Sequence, residues 1–431
     1  MRLRLTNVPW FTGMVVVASI AVASCGQASD VQVKSGMLAG GRTGSDAANG
    51  RGTAASPPAP SPVPGSARTR TKPVWFESLQ MTSATAGWAL IWTANPFGTA
   101  YLEPARTSDG GRMWTPLAPA ALKAVPAGLA LLQAQSADRA SIAVVGATGP
   151  TSKQTIVYST DDAGRTWARS APVPGADPVA IDFVDARHGW LLESMGAAMG
   201  QNPVRLYQTT NSGRQWSLVA KSGTVNAPAS PSGLPVFGDK EGLAFRSASV
   251  GWITGGCNCL EVLASRDGGT HWAPQPVPLP ARICEAGGCE VPAPQFAGRT
   301  TFLQINAYPR TGYLLVSRDG GASWKTESLP AGAGPYPRLT FFGARLGIAV
   351  SAGAQGMVGS MFYVTSDGGL SWTAVQQGKV FGRAPFGFDF VSPSTGFAWI
   401  PGADSAGGAP DLEMTTNSGR TWTAFHPLEV S

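Results

Sequence analysis

The chain has 431 residues, of which 43% are apolar and 13% charged, with three histidines, five cysteines and a net charge of +6. That charge belongs to one end: Arg2, Arg4, Lys34, Arg42, Arg51, Arg68, Arg70 and Lys72 face only Asp30 and Asp46 in residues 1–72, leaving residues 73–431 neutral. The high isoelectric point therefore gives no basis for a nucleic-acid face, and His188, His271 and His426 fall at unrelated places, a turn, a repeat position and near the C-terminus, so no histidine cluster suggests a metal centre or a triad.

In chain order, Arg2 and Arg4 precede an uncharged apolar run that ends in Val22-Ala23-Ser24-Cys25-Gly26. Small residues before a lone cysteine resemble a bacterial lipoprotein leader, which predicts a signal peptide over 1–24 and lipidation of Cys25. An ordinary secretory peptide or an uncleaved anchor would use the same residues, since Leu5 to Ser24 is long enough to span a bilayer. All three readings export the rest of the chain. Residues 25–72 are rich in Ala, Gly, Ser and Pro and cannot build a core, so they are expected to be a disordered tether reaching roughly 40 Å.

From residue 73 onward the sequence repeats. Seven segments end at Trp114, Trp167, Trp216, Trp272, Trp324, Trp372 and Trp422, spaced by 53, 49, 56, 52, 48 and 50 residues. Five residues before each Trp stands Asp109, Asp162, Asn211, Asp267, Asp319, Asp367 or Asn417; each segment also has Ser or Thr at −7 and Gly at −3. Asp or Asn can accept hydrogen bonds from the backbone two residues on, Gly supplies positive φ, and Trp opens the next strand. A second pattern, aromatic strand, turn, then Gly and another apolar strand, precedes most of these segments, as in Phe183 to Trp190 and Phe245 to Trp252. It is degenerate near Ser136 to Val144 and Gln295 to Leu303.

A period near fifty residues with two strand-flanked turns predicts an all-β fold, a single seven-bladed β-propeller over 73–431 with four-stranded antiparallel blades. The second pattern marks the turn between strands A and B, and the Trp pattern the turn between C and D. In a meander these share one face, so the irregular B–C and D–A connections lie on the other, where binding is expected.

The Ser/Thr-x-Asp-x-Gly-x-x-Trp repeat resembles the Asp-box, or bacterial neuraminidase repeat, family. With an export signal and one propeller, the chain most resembles the photosystem II assembly and stability factors. That resemblance implies a non-enzymatic scaffold that binds membrane-protein partners, and it assigns no partner-binding residue.

Cys257, Cys259, Cys284 and Cys289 are an even number in an exported chain and are expected to form disulfides. A Cys257–Cys259 bond would be strained, so each of these is expected to pair with Cys284 or Cys289. A four-thiolate metal site is the competing use, disfavoured by compartment and spacing. No metal or cofactor is expected.

A sialidase would need an arginine cluster and an early Phe/Tyr-Arg-Ile/Leu-Pro motif, and none is present. A hydrolase with paired carboxylates would draw on Asp182, Asp185 and Asp389, near the inner strands; these residues are otherwise expected to cap turns. Ten of the fourteen Trp belong to the repeat. Outside it, Trp92, with Phe97 and Tyr101 in the following loop, are the ligand-face candidates. Together these features predict a monomeric, non-enzymatic scaffold, held to the bilayer through Cys25 on the extracytoplasmic side and secreted if Cys25 is not lipidated. It would bind an envelope protein, a membrane protein or a glycan, but no nucleic acid. A carbohydrate-active hydrolase with acids in the central channel is the alternative.

Overall fold

The computed structural model describes residues 71–431 except 95–99, 118–129, 148–152, 176, 197–199, 224–229, 257–259, 281–282, 286, 310, 335, 352–360, 377–380, 382–384, 401–409 and 431. The leader, Cys25 and the tether lie outside the described residues, as do Phe97, Cys257 and Cys259. Seven antiparallel sheets follow one another along the chain, at 76–116, 130–174, 177–221, 242–274, 295–327, 338–376 and 387–425. Together they form a seven-bladed β-propeller.

In each blade the strands run A to D from the axis outward. Strand B is enclosed on both sides: Gly189–Ser194 and Gly251–Gly256 are buried at every position, polar Glu193, Ser194 and Thr254 included. The two blades with degenerate patterns form as well. Their B strands, Ala140–Ala147 and Thr300–Ala307, are eight residues long.

The ring closes on the outer edge of the first blade. Leu428–Val430 pairs parallel with Met113–Pro116, and Thr71–Pro73 pairs antiparallel with Leu428–Val430. Each blade therefore keeps its own four strands, and both ends of the described chain fasten the outside. At the inside of the same junction Phe397 packs with Met81, Trp114 and Leu412.

The repeated turn works through its hydroxyl. Thr209 Oγ1 accepts from the N–H of Asn211 and of Gly213 and donates to Asn211 Oδ1, which in turn accepts from Gln215 N–H. The expected bond from Asp or Asn to a backbone two residues on is therefore corrected: the carboxylate or amide reaches three or four residues on, and the hydroxyl covers the nearer donors. Box glycines hold φ near +80 to +94, and Ala163, Ser212 and Ser418 take φ of 62 to 65 where four other copies have a second glycine.

A backbone N–H of each box meets a carbonyl of its own A–B turn, as in Gly110 to Thr85, Ser212 to Arg187, Gly268 to Ser249 and Ser418 to Ser394. Both patterned turns thus share one face, called here the repeat face. The connections B–C and D–A form the variable face.

Candidate functional site

The inner strands settle the carboxylates first. One residue before the end of strand A, or two in blade five, the blades place Gln80, Gln133, Asp182, Ala244, Gln295, Thr340 and Asp389 in register. Five of these reach across to the next blade. Gln80 accepts from Ala134 N–H, Gln133 from Phe183, Asp182 from Phe245, Gln295 from Phe341, and Asp389 from Met81. Gln133 also donates to Asp182 Oδ1 at 3.1 Å.

Burial pushes the carboxyls of Asp182 and Asp389 up to about 6, against the backbone N–H groups that favour the charged form. Neither caps a turn, contrary to the structural expectation; both clasp neighbouring blades. Asp185 does serve a turn, accepting from Arg187 and His188 N–H and touching the His188 ring at 2.8 Å.

The variable face carries what the repeat does not explain. Over blades four to six one polar network is continuous. Glu241, just before strand A of blade four (Gly242–Phe245), accepts from Val291 N–H at 2.9 Å, and Thr254 donates to Val291 O. Cys289–Glu290 pairs with Asn306 and Ala307 at the end of strand B in blade five. Glu290 then accepts from Tyr308 O–H at 3.0 Å and Asn306 at 3.3 Å, while Tyr336 of the approach to blade six donates to Ala307 O and lies 4.8 Å from the Tyr308 ring.

Burial, reinforced by the charges of Glu290 and Asp239, raises Glu241 to about 7. Burial and Glu290 also push the Tyr308 hydroxyl up. Beside them Lys240 is fully buried, donating to Phe237 and Gly238 carbonyls, with Glu261 at 3.5 Å.

A disulfide pins this region, and its pairing differs from expectation. Cys284 and Cys289 bond to each other across a Cα separation of 5.0 Å, because Gly288 N–H folds back onto Cys284 O and brings the two together. The predicted cross-pairing with Cys257 and Cys259 is thereby overturned. The turn-forming Glu285 to Gly288 segment was the signal that sequence reasoning passed over.

Elsewhere on this face, Trp92 is half-buried and its indole donates to Glu77 at 2.9 Å; burial raises Glu77, and this bond opposes it. Tyr101 sits on strand C opposite Thr93, its side chain outside the described residues. Trp75 is 40% exposed and Phe237 48% exposed. Between blades two and three Glu193 is fully buried with both oxygens unpartnered. Burial raises it to about 8, the neighbouring Thr155 hydroxyl pulls the other way without completing an ordinary hydrogen bond, and Asp177 adds repulsion.

The two faces also differ in charge. The variable face carries Glu77, Asp177, Glu193, Asp239, Glu241, Glu261 and Glu290 against Lys153, Arg205, Lys221, Lys240 and Arg338. On the repeat face the box acids are tied to their own turns, and arginines stand out. Arg246 and Arg266 lie 5.9 and 5.3 Å from the Trp252 ring.

No family model matches the sequence, and no curated protein matches it. Solved structures do match in fold. A structure of YCF48 bound to D1 peptide superposes with TM-score 0.50 at 14% identity, covering 83% of this chain and 99% of that one. The xyloglucanase of Xanthomonas campestris gives 0.52 at 15%, this chain spanning 55% of its length. The β-propeller domain of the Trilobed protease from Pyrococcus furiosus gives 0.51 at 7%, covering 82% and 98%. Proteins of such different kinds share the architecture, so the likeness carries the fold alone.

Proposed function

We propose that this chain is an exported, membrane-tethered, non-enzymatic scaffold whose variable face binds an envelope protein or a glycan. One observation carries the reading. The inner-strand acids that a channel hydrolase would use, Asp182 and Asp389, are committed to backbone N–H groups of neighbouring blades. The variable face meanwhile holds a disulfide-pinned network and the exposed aromatic side chains of Trp75 and Phe237.

Rigid display is what such a surface supplies. Trp75 and Phe237 offer apolar anchors, and the Tyr308–Tyr336 pair with Glu241 and Glu290 offers polar selectivity, favouring a partner with basic groups. YCF48, solved with a bound D1 peptide, is a propeller of matching extent and accords with a peptide or protein partner.

The test is a hydrolysis assay on isolated envelope glycans, run with the wild type and with Asp182→Asn and Asp389→Asn. The scaffold reading predicts that no sugar is released by any of the three. Release by the wild type that disappears in either variant would overturn it.

A further inference from the structure

Across from each inter-blade clasp, strand B places one residue that fills the junction with the following blade. Six blades use a large apolar side chain there: Trp88, Trp190, Trp252, Phe302, Ile348 and Phe397. Trp190 stacks on Phe245 of the next blade at 3.6 Å, Phe302 on Phe341 at 3.6 Å, and Trp252 packs on Phe296 at 5.4 Å. Blade two has Ser141 at this position, opposite Gln133 and Ser159.

The consequence is a cavity of about 80 Å³ on the repeat face between blades two and three. Phe183, which an aromatic at 141 would cover, lines it instead. Its walls are polar: Gln135 donates to Ser141 Oγ at 3.0 Å, and Ser141 and Ser159 share a hydrogen bond at 3.1 Å. Gly213 presents its backbone to Ser159 Oγ, where the matching Gly269 and Gly321 meet apolar groups that include Trp190 and Trp252. Arg139 and Arg214 line the same cavity, and neither guanidinium has a hydrogen bond or ion pair among the described residues. Asp161 is the single acid in the lining.

We propose that this cleft binds a small organic carboxylate, held by the Arg139 and Arg214 guanidinium groups, with its short carbon chain against Phe183 and its polar substituents toward Ser141, Ser159 and Gln135. Guanidinium groups fit a carboxylate in plane with paired N–H donors, and two of them outweigh the repulsion of one exposed Asp161. The volume restricts the ligand to a few heavy atoms beyond the carboxylate. This site lies on the face opposite the proposed partner surface and does not depend on it.

The experiment titrates acetate, lactate, succinate and benzoate into the folded propeller by calorimetry at low ionic strength, with lactamide and benzamide as uncharged controls and inorganic phosphate as a competing oxyanion. At least one carboxylate is expected to bind saturably at millimolar concentration or tighter, with its amide at least tenfold weaker. Arg139→Ala combined with Arg214→Ala should remove that binding at unchanged melting temperature, since neither guanidinium has a partner among the described residues. Ser141→Phe, which restores the filling seen in the other blades, should remove it too. Saturable binding of phosphate alone, equal binding of acid and amide, no binding of any carboxylate, or binding undiminished in the arginine double variant would overturn the proposal.

Discussion

The two faces of this propeller are built from the same strands yet follow different rules. On the repeat face the box Ser or Thr hydroxyl accepts from the box glycine N–H, and a further box N–H meets a carbonyl of the adjacent A–B turn, in all seven copies. On the variable face the same strands end in groups that reach across blades, Glu241 to Val291 and Gln304 to Pro337, and burial raises the carboxyls of Glu241 to about 7 and Glu193 to about 8. A periodic face reports what holds the ring together. The aperiodic one is free to be specific.

The sharpest way to break that contrast is to compare two tryptophans. Trp190 is fully buried and stacked on Phe245, so Trp190→Ala is expected to cost about 3–5 kcal/mol in denaturant unfolding. Trp75→Ala, on the exposed side of the variable face, should cost within about 0.5 kcal/mol. Similar losses at both positions would mean that the variable face is also part of the core.

The buried acids come next, through pH. Asp389 has its folded pKa raised to about 6 from 3.8, so the cost of holding it charged accumulates as pH rises from near 4 through 6 and is constant above. Asp389→Asn keeps an acceptor for Met81 N–H, as the glutamines do in other blades. It should leave stability unchanged at pH 4 and raise it by on the order of 1–3 kcal/mol at pH 7.5. Glu193→Gln should behave likewise over a wider window, its gain growing from pH 4.5 to about 8. A loss of stability at pH 7.5 in either variant would show that the charge itself is used.

Removing the bridge with Cys284→Ser opens a short loop and should cost about 2 kcal/mol at most, read as a lower melting temperature in oxidising buffer. A smaller loss than that of the buried tryptophan is expected at Tyr336→Phe, which gives up one hydrogen bond to Ala307 O and about 0.5–1.5 kcal/mol, read in denaturant unfolding.

The fold was legible because it is periodic. Asp109 to Trp114 and its six echoes each encode one turn with local donors, and the glycines that open strand B, such as Gly189 and Gly251, mark another, so blade number and the sharing of a face follow from spacing. The clasp was not legible as such: Gln80, Gln133, Asp182, Gln295 and Asp389 differ in type and act across some fifty residues. Once aligned on the repeat, though, they share a column. Ser141 likewise becomes informative only against Trp88, Trp190 and Trp252, and blade two was the copy in which the pattern faded. The network of Glu241, Glu290, Tyr308 and Tyr336 had no signal at all, since its members come from three blades and no spacing relates them.

That the variable face is the surface that binds is tested most directly by capture from solubilised envelope, using two variants of equal thermal stability. One is Trp75→Ala with Phe237→Ala on the variable face; the other is Leu346→Ala with Leu370→Ala, which are as exposed on the repeat face. A partner retained by the second and lost by the first is the predicted result. A partner lost by the second and retained by the first would contradict it.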